Sequence, residues 1–393
     1  MDPTCESPLV AIHLPAPEAA RAVRRAWDDG AAVVVLDPRA PAARVTSVLE
    51  ALVPTHLVDA GGTRRMARGR PAAAGVAAVV TTSGTTGEPR HVVLRRSALE
   101  ASARAVSAVL EVVPGDDRWL ACVPLHYVAG LAIVARSYFC ETALTVHPTF
   151  DVAAVAASAG EATLVSLVPT MLSRLLDAGR APSGFHRVLV GGSPVAPSLR
   201  RVAEDAGVRI STTYGLSETG GGCVHDGTPL PGVELSTSSD DEILVRGPVV
   251  MDGYLGDDLA TSRAFTADGW LRTGDLGRID ARGILSVTDR LKDIVITGGV
   301  KVSPTAVERV LGDHPAVADV GVVGLPDEHW GERVVAFVVP RPETDPPTLG
   351  ELRSFGSHEL TAAELPRELR LVASLSRSPS GKLLRSQLRD AEG

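Results

Sequence analysis

Residues 81–90 combine hydroxyl, glycine and cationic side chains in an order that suits the binding of an anion. The segment reads Thr-Thr-Ser-Gly-Thr-Thr-Gly-Glu-Pro-Arg and follows an apolar run, residues 76–80, that predicts a buried strand. Glycine allows a tight turn and a close backbone approach, so that hydroxyl and N–H groups can surround anionic oxygens. Arg90 adds a permanent positive charge. The order of these residues predicts a polyphosphate-binding loop, whereas composition alone would suggest a polar surface turn.

Two further segments could complete a nucleotide site. Residues 213–219 read Thr-Tyr-Gly-Leu-Ser-Glu-Thr and follow a strand predicted at 208–212. Tyr214 offers a flat face for a purine, and Glu218 offers a carboxylate for Mg²⁺ beside phosphates. Upstream, Gly191 and Gly192 lack side chains, as a flat ligand beside the backbone requires. Alone, the tyrosine could equally be packed at a strand end and the glutamate solvated.

Three segments nearer the C-terminus place charged residues close to glycine or on a polar tail. Residues 270–276 contain Thr-Gly-Asp, in which Asp275 could accept two hydrogen bonds at once. Residues 289–293 read Asp-Arg-Leu-Lys-Asp, and residues 378–385 read Ser-Pro-Ser-Gly-Lys-Leu-Leu-Arg. Thr-Gly-Asp is also an ordinary turn sequence, and such tails are often surface stretches. Each segment is therefore weak evidence by itself.

In this order, the segments resemble the motifs of the adenylate-forming superfamily, which includes acyl- and aryl-CoA ligases, luciferases and peptide-synthetase adenylation domains. The loop is not a Walker A loop, because the sequence contains no G-x-x-x-x-G-K-[ST]. The resemblance implies ATP, Mg²⁺ and coenzyme A. It also implies that a carboxylate attacks the α-phosphorus of ATP, giving acyl-adenylate and pyrophosphate, before a thiol takes the acyl group. Asp289 in place of the usual glycine, and Arg90-His91 in place of the usual Lys-Gly, depart from the pattern.

The resemblance also implies a role for individual residues. Lys382, Arg90 and Glu218 are expected to be catalytic, and Glu218 is the expected metal ligand. Lys292 is the expected hinge, about which the small domain would rotate between the two steps. The residues expected to bind ATP or AMP are Thr82, Ser83, Gly84, Thr85, Thr86, Gly87, Gly191, Gly192, Ser193, Thr213, Tyr214, Gly215, Ser217, Thr219, Asp275 and Arg290, and those expected beside coenzyme A are Gly298 and Gly299.

Alternating helices and strands predict the large domain. Helices are predicted at 18–28, 42–52, 97–112, 130–139, 169–177 and 197–206, and strands at 32–36, 119–124, 163–167, 188–190 and 208–212. This alternation predicts mostly parallel sheets with flanking helices, and residues 61–74 resemble a linker. With the resemblance, we expect a large N-terminal α/β domain over 1–289 that ends in a small β subdomain. A small mobile α+β C-terminal domain is expected over 290–393.

Composition excludes several classes of partner. The chain has 393 residues and a net charge of −8, with acidic and basic residues interspersed, so neither nucleic acid nor an anionic membrane is indicated. Its cysteines, Cys5, Cys122, Cys140 and Cys223, have no C-x-x-C spacing. No apolar run has the length of a membrane span, and no signal-peptide pattern is present. We expect a cytoplasmic enzyme with small-molecule substrates, and a homodimer is compatible with the sequence.

Residues 124–137, 166–172 and 220–230 sharpen the resemblance, because they are similar to o-succinylbenzoate–CoA ligases of actinobacteria, which act in menaquinone biosynthesis. That acid carries an aromatic ring, a keto group and two carboxylates, of which one is activated. The second carboxylate needs a donor, and His126, Tyr127 and Arg136 are candidates, since an arginine can bind a carboxylate bidentately. His126 could instead be packed at a strand end, and Arg136 could lie on a helix surface.

Two neighbouring functions stay open at this point. One is a CoA ligase for another aryl or short acyl acid, and the other is a stand-alone adenylation module that loads a carrier protein. A non-catalytic ATP-binding protein is disfavoured, because Glu218, Asp275 and Lys382 are all retained. The absence of a G-x-S-x-G elbow argues against a hydrolase.

Overall fold

The computed structural model describes residues 6–82, 89–377 and 383–390, and all structural statements concern these residues. The chain forms two compact units: unit 1 comprises Met1–Leu235 with Val245–Arg272, and unit 2 comprises Ser236–Leu244 with Thr273–Gly393. A domain boundary between residues 289 and 290 stays a prediction.

The helices alternate with the strands along unit 1 and recur in unit 2. They are α1 (Ala16–Asp28), α2 (Ala42–Leu52), α3 (Arg96–Val109), α4 (Val128–Phe139), α5 (Val152–Ala157), α6 (Pro169–Asp177), α7 (Pro197–Asp205), α8 (Asp258–Ala264), α9 (Pro304–Gly312), α10 (Leu349–Gly356) and α11 (Arg385–Asp390). Short 3₁₀ turns lie at Ser217–Thr219 and Leu291–Asp293.

The strands are β1 (Leu9–Ile12), β2 (Ala32–Val35), β3 (His56–Asp59), β4 (Gly62–Arg65), β5 (Val76–Thr82), β6 (Arg90–Arg95), β7 (Arg118–Ala121), β8 (Ala143–Val146), β9 (Leu164–Leu167), β10 (Arg187–Gly191), β11 (Ile210–Leu216), β12 (Gly221–His225), β13 (Thr228–Pro229), β14 (Glu234–Thr237), β15 (Glu242–Arg246), β16 (Gly253–Tyr254), β17 (Leu271–Ile279), β18 (Leu285–Arg290), β19 (Val295–Thr297), β20 (Val300–Val302), β21 (Val317–Asp327), β22 (Gly331–Pro340) and β23 (Glu368–Leu371).

The two large sheets of unit 1 have parallel centres; the first has antiparallel pairs at both ends and the second at one end only. The first runs β16-β6-β5-β2-β1-β3-β4, and the second runs β13-β12-β11-β10-β9-β7-β8. In the first, β6 returns antiparallel beside β5; in the second, β12 returns antiparallel beside β11. Each return brings residues that follow a parallel strand back along its side. Parallel strands are buried on both faces, which explains their near-continuous runs of valine, leucine and alanine.

Helix α4 is the most enclosed helix of unit 1. Every residue from Gly130 to Ser137 is buried, so the helix has no exposed face along this stretch. It packs against α3 and contacts β7 and β12. Gly130 permits the close start of the helix, because a Cβ there would lie 2.3 Å from the carbonyl oxygen of Pro124. The side chains on this stretch of α4 therefore lie inside unit 1.

Unit 2 is an α+β unit built on a five-stranded sheet. The sheet runs β20-β19-β22-β21, and β23 pairs parallel with β22. Helix α9 packs on β21, and the core between them includes Val307, Leu311, Val322 and Val338. A further sheet has the strand order β14-β15-β17-β18.

The predicted fold class, mixed α/β followed by α+β, is confirmed. Two local predictions are wrong. Residues 61–74 are not a linker, because β4 pairs with β3 there. Residues 213–216 lie within β11 instead of after it, because they pair with β12, whose return the local pattern did not reveal. Within the described residues, no helix is long and apolar enough to cross a membrane.

We predict that Gly215→Ala strongly destabilises the protein. A Cβ at this position would lie 1.9 Å from the carbonyl oxygen of Gly221 in the paired strand, and backbone atoms cannot move aside cheaply. The free energy of unfolding, measured by urea denaturation, should fall by about 3 kcal/mol or more. Gly350→Ala is the control, because its nearest neighbour, Thr348 Oγ1, is 3.9 Å away and alanine favours a helix. Wild-type stability in Gly215→Ala would contradict the packing described for β11 and β12.

Candidate functional site

The strands that flank the predicted phosphate loop are paired directly. Thr82 at the end of β5 is opposite Arg90 at the start of β6, and its hydroxyl donates to the Arg90 carbonyl oxygen at 3.3 Å. Ser83, Gly84, Thr85, Thr86 and Gly87 lie outside the described residues, as does Lys382. Thr82 and Arg90, the described residues on either side of this segment's undescribed part, therefore lie side by side.

The departure at His91 has a structural explanation. Its Nδ1 is 3.1 Å from Thr81 Oγ1 on β5, and its carbonyl oxygen accepts from the Leu255 N–H at 2.8 Å. Burial lowers the pKa of His91, so the ring is neutral at pH 7. The imidazole thus serves as an interstrand contact.

Glu218 lies in the 3₁₀ turn that follows β11. Thr219 fixes this turn, since its buried hydroxyl accepts from the Leu216 N–H at 2.9 Å and donates to the Gly221 carbonyl oxygen at 2.7 Å. The Tyr254 hydroxyl donates to Glu218 Oε1 at 2.8 Å. Burial, and next the nearby Glu218 carboxylate, raise the pKa of Tyr254, so the phenol stays protonated and acts as a donor.

Arg90 is brought to the same place. Its guanidinium carbon is 5.1 Å from the centroid of the Tyr254 ring, within the range of a cation–π contact. The structure therefore joins two sequence-predicted catalytic residues, Arg90 and Glu218, through a residue that sequence reasoning missed. The available signal was only a Gly-Tyr pair after residues 248–252, which has no periodic pattern of its own.

The donor set around Glu218 fits a Mg²⁺ ion shared with phosphates. No group of three or more His, Cys, Asp or Glu side chains that could hold a metal by itself occurs in the described part of the chain. Mg²⁺ bound to nucleotide needs only one or two carboxylates beside the phosphate oxygens and water. A single carboxylate at the end of a fixed turn meets that requirement.

The glycines predicted to lie beside adenine also have a packing role. Gly191 on β10 is opposite Thr213 on β11, and a Cβ on Gly191 would lie 2.5 Å from Thr213 Cγ2. Gly192 has a φ of +85°, which turns the chain out of β10 before Ser193. Tyr214 and Ser217 are partly exposed, at the end of the same sheet. These residues lie at the carboxyl ends of β10 and β11, where ligands of open α/β sheets bind.

Arg136 is a buried cation. It is 4% exposed, and its guanidinium carbon is 5.0 Å from the Trp119 ring centroid. Its Nε and Nη1 have no hydrogen-bond partner among the described residues. Burial lowers the pKa of Arg136 to about 10, so the group is still charged at pH 7. The alternative that this arginine lies on a helix surface is excluded.

His225 is close enough to Arg136 for the arginine charge to act on its pKa, and Thr213 is the cross-strand partner of His225; we term these three residues the buried polar cluster. Thr213 and His225 are cross-strand partners, and the position of a Cβ on Gly222 would be 2.0 Å from Thr213 Oγ1 and 3.3 Å from His225 Nε2. Neither the Thr213 hydroxyl nor either ring nitrogen of His225 has a partner among the described residues. Burial, followed by the positive charge of Arg136, lowers the pKa of His225 to about 4.

His126 and Tyr127 are placed apart from this cluster. They precede α4, whereas Arg136 is nine residues beyond Tyr127, roughly 13 Å along the helix axis. His126 Nε2 is 3.9 Å from Asp37 Oδ2, and its ring centroid is 4.2 Å from that of Tyr127. Burial is the main cause that lowers the pKa of His126 and raises the pKa of Tyr127. The three residues predicted to bind the acid thus lie at opposite ends of one helix.

Unit 2 brings Asp275 and Arg290 together. They are opposite each other on β17 and β18, and Arg290 Nε is 2.8 Å from Asp275 Oδ1, with Asp275 buried. Asp289, the second departure, accepts from Ser303 Oγ at 2.7 Å and from the Thr305 N–H at 3.1 Å. It therefore anchors the start of α9, which a glycine could not do.

The remaining predicted residues of unit 2 lie on two turns. Lys292 has an exposed side chain in the turn Leu291–Asp293, and loss of part of the water around its ammonium group is the main cause that lowers its pKa. Gly298 and Gly299 join β19 to β20 with φ values of +57° and +78°. A Cβ on Gly298 would lie 2.9 Å from the Trp330 ring, so this glycine permits a close contact with an aromatic side chain.

Comparison with known proteins defines the class. Residues 59–255 match the family model described as AMP-binding enzyme, and residues 306–382 match AMP-binding enzyme C-terminal domain. The chain belongs to the AMP-binding enzyme family, which confirms the resemblance to adenylate-forming enzymes.

Particular members are close relatives. A probable 2-succinylbenzoate–CoA ligase from Mycobacterium tuberculosis (strain CDC 1551 / Oshkosh) is 39% identical over 325 residues, 80% of this chain and 84% of that protein. The structure of o-succinylbenzoate CoA synthetase (MenE) from Bacillus subtilis with the acyl-adenylate intermediate OSB-AMP has a TM-score of 0.86 and 30% identity, and the match covers 98% of this chain and 88% of that one. The same enzyme with ATP and magnesium ion has a TM-score of 0.85 and 29% identity, over 98% and 90% of the two chains.

We predict that His225 makes the stability of the protein depend on pH. Its folded pKa of about 4 is below the ordinary value of 6.5, so the unfolded chain binds the proton more readily. This contribution to stability is present above pH 6.5 and is lost as the pH falls towards 4. At pH 5 the loss of stability amounts to about 2 kcal/mol.

Urea unfolding of the wild type and of His225→Gln at pH 7.5 and pH 5 measures the effect. The variant should lose about 2 kcal/mol less than the wild type on acidification. His358→Gln, at an exposed position, is the control and should follow the wild type. Equal losses in the wild type and His225→Gln would show that His225 is not buried as described.

Proposed function

We propose that the protein is an ATP-dependent o-succinylbenzoate–CoA ligase of menaquinone biosynthesis. It converts the acid and ATP to acyl-adenylate and pyrophosphate, and then forms acyl-CoA and AMP with coenzyme A. The observation that carries the substrate assignment is the buried polar cluster of Arg136, His225 and Thr213, in a chain whose curated relatives bear the same activity in their names.

The cluster suits the carboxylate that is not activated. A guanidinium removed from water is costly unless an anion offsets its charge, and a carboxylate can receive two N–H bonds from it. Neutral His225 adds one N–H donor and Thr213 adds a hydroxyl donor. A monocarboxylic acid would leave these groups without an anion once its own carboxylate is placed at ATP. The cluster therefore favours a dicarboxylic acid.

In the first step, the protein positions two reactants and stabilises the negative charge that spreads over the α-phosphate. Arg90 provides a cation beside the phosphate loop, and Lys382 is assigned to the reacting carboxylate by its place in the motif. Glu218 would hold Mg²⁺, which supplies charge neutralisation on the phosphates when bound. The carboxylate oxygen forms the new P–O bond and pyrophosphate leaves, so no protein nucleophile is needed.

The second step is assigned to unit 2. Asp275 is proposed to accept hydrogen bonds from the ribose hydroxyls, with its orientation fixed by Arg290. Lys292 is the proposed hinge of a C-terminal domain that begins at residue 290, and the Gly298–Gly299 turn is the proposed surface for the thiol arm. The thiol sulfur attacks the acyl carbon, and AMP leaves with the electron pair of the broken C–O bond. We further propose a cytoplasmic location, where ATP and coenzyme A are available, and a homodimer is compatible with this assignment.

The reaction is tested by pyrophosphate release with a panel of acids at fixed ATP, Mg²⁺ and coenzyme A. o-Succinylbenzoate should give a kcat/KM at least about tenfold above those of benzoate, acetate and malonate. Mass spectrometry should detect the acyl-CoA product, and a pantetheinylated carrier protein supplied in parallel should be acylated more slowly. If benzoate is preferred, the named substrate is wrong, and if the carrier protein is preferred, the acceptor is wrong.

We predict that Arg136→Met selectively removes recognition of the second carboxylate. Two analogues are compared with o-succinylbenzoate: 3-benzoylpropionate, which lacks the ring carboxylate, and 2-butyrylbenzoate, which lacks the chain carboxylate. The analogue that retains the activated carboxylate should remain a weak substrate. Arg136→Met should lower kcat/KM for o-succinylbenzoate about 100-fold, because charge-assisted bonds are lost, and should change that of the surviving analogue less than about threefold.

Methionine preserves apolar volume at this buried position, so the variant is expected to fold. Arg174→Met is the control, because Arg174 also lies over an aromatic ring, that of Phe150 at 5.1 Å, outside the proposed site. Equal losses for o-succinylbenzoate and the surviving analogue in Arg136→Met would contradict the assignment of the cluster.

A further inference from the structure

Tyr254 contacts two of the residues of unit 1 that are assigned to the triphosphate, Glu218 and Arg90. Its hydroxyl donates to Glu218 Oε1 at 2.8 Å, and the Arg90 guanidinium carbon is 5.1 Å from its ring centroid. The residue is 9% exposed, so little of it is available to solvent. Tyr254 therefore connects Arg90, the cation at the phosphate loop, with Glu218, the carboxylate assigned to the metal.

The backbone around Tyr254 is fixed to the same two segments. Tyr254 pairs with Val92 of β6, two residues after Arg90. The Leu255 N–H donates to the His91 carbonyl oxygen at 2.8 Å, and the Met251 N–H donates to the Glu218 carbonyl oxygen at 2.8 Å. Residues 251–255 thus bridge β6 and the turn that carries Glu218.

A contact with α8 also fixes the backbone at Tyr254. The Tyr254 N–H donates to Thr261 Oγ1 at 2.9 Å, and Gly253 has a φ of +151°. A Cβ on Gly253 would lie 2.7 Å from Thr261 Cγ2, so glycine is required where the chain passes α8. The phenol is therefore held by the fold before any ligand arrives.

We propose that Tyr254 is a positioning residue for the metal–triphosphate site. The phenol hydroxyl holds Oε1 of Glu218, and Oε2, which has no donor among the described residues, is directed to the cation. The ring restrains the Arg90 guanidinium. Partners of a metal-ligating carboxylate commonly change metal affinity by 10–100-fold when removed, because they fix its orientation. The proposal rests on the assignment of Glu218 to Mg²⁺ made above.

The test is binding of Mn²⁺, an EPR-active substitute for Mg²⁺, to the full chain in the presence of α,β-methylene-ATP, which cannot release pyrophosphate. Tyr254→Phe keeps the ring and removes only the hydroxyl. It should weaken Mn²⁺ binding about tenfold, while binding of the metal-free nucleotide and KM for the acid change less than about twofold. In turnover, the Mg²⁺ concentration for half-maximal rate should rise about tenfold, and high Mg²⁺ should restore the rate.

Tyr138→Phe is a matched control. The Tyr138 hydroxyl also donates to a carboxylate, Asp28 Oδ1 at 2.8 Å, and Arg96 lies 5.4 Å from its ring centroid. This variant should bind Mn²⁺ as the wild type does. Comparing the two separates loss of the Glu218 contact from loss of any tyrosine hydroxyl that donates to a carboxylate.

The Glu218→Gln variant distinguishes failure of the proposal for Tyr254 from failure of the assignment of Glu218 to Mg²⁺. If Glu218→Gln weakens Mn²⁺ binding but Tyr254→Phe does not, Tyr254 is not a positioning residue, although Glu218 keeps its role. If neither variant changes Mn²⁺ binding, the assignment of Glu218 to the metal fails as well. If Tyr254→Phe weakens metal, nucleotide and acid equally and lowers the melting temperature, its role is structural and the proposal is overturned.

Discussion

We propose that substrate recognition depends on one electrostatic constraint, a guanidinium enclosed by an apolar helix and two strands. Arg136 belongs to the buried stretch of α4 and is stacked on Trp119. A cation–π contact offsets only part of the cost of removing a charge from water. The Nε and Nη1 groups of Arg136 have no partner among the described residues, and burial and the arginine charge keep His225 neutral. A carboxylate from a substrate would complete this arrangement.

Two antiparallel returns build the rest of unit 1's site. Thr82 ends β5 and Glu218 follows β11, so both lie at the carboxyl ends of strands, as expected for this architecture. Strand β6 then brings Arg90 back to Thr82, and β12 brings His225 back to Thr213. The same topology thus places a cationic and a neutral donor beside residues of the preceding strand. Glycines at the crossings, such as Gly215, are needed because the paired backbones leave no space for a side chain.

The sequence was sufficient for the family, the fold class and the order of the motifs, because each motif is local and its spacing is characteristic. Helix α4 was also predictable, yet the burial of Arg136 was not, since a single charge near a helix end is typical of a surface position. His225 and Tyr254 were missed for another reason. Their neighbours are set by strand pairings, β12 with β11 and β16 with β6, that no local pattern reveals.

Departures from the family pattern were visible in the sequence, but their reasons were not. Asp289 replaces a glycine and anchors Ser303 and Thr305, which follow it by more than a dozen residues. His91 replaces another glycine and contacts Thr81 across a strand pair. Both substitutions exchange backbone freedom for a specific hydrogen bond. The roles of residues 83–87 and of Lys382 stay predictions from the motifs.

A crystal structure with a non-hydrolysable acyl-adenylate mimic of o-succinylbenzoate would test the central claim most directly. The free carboxylate of the bound mimic should lie within about 3 Å of the Arg136 guanidinium, with His225 or Thr213 as a further donor. A free carboxylate placed in solvent or beside His126, with no anion at Arg136, would contradict the assignment of the buried polar cluster.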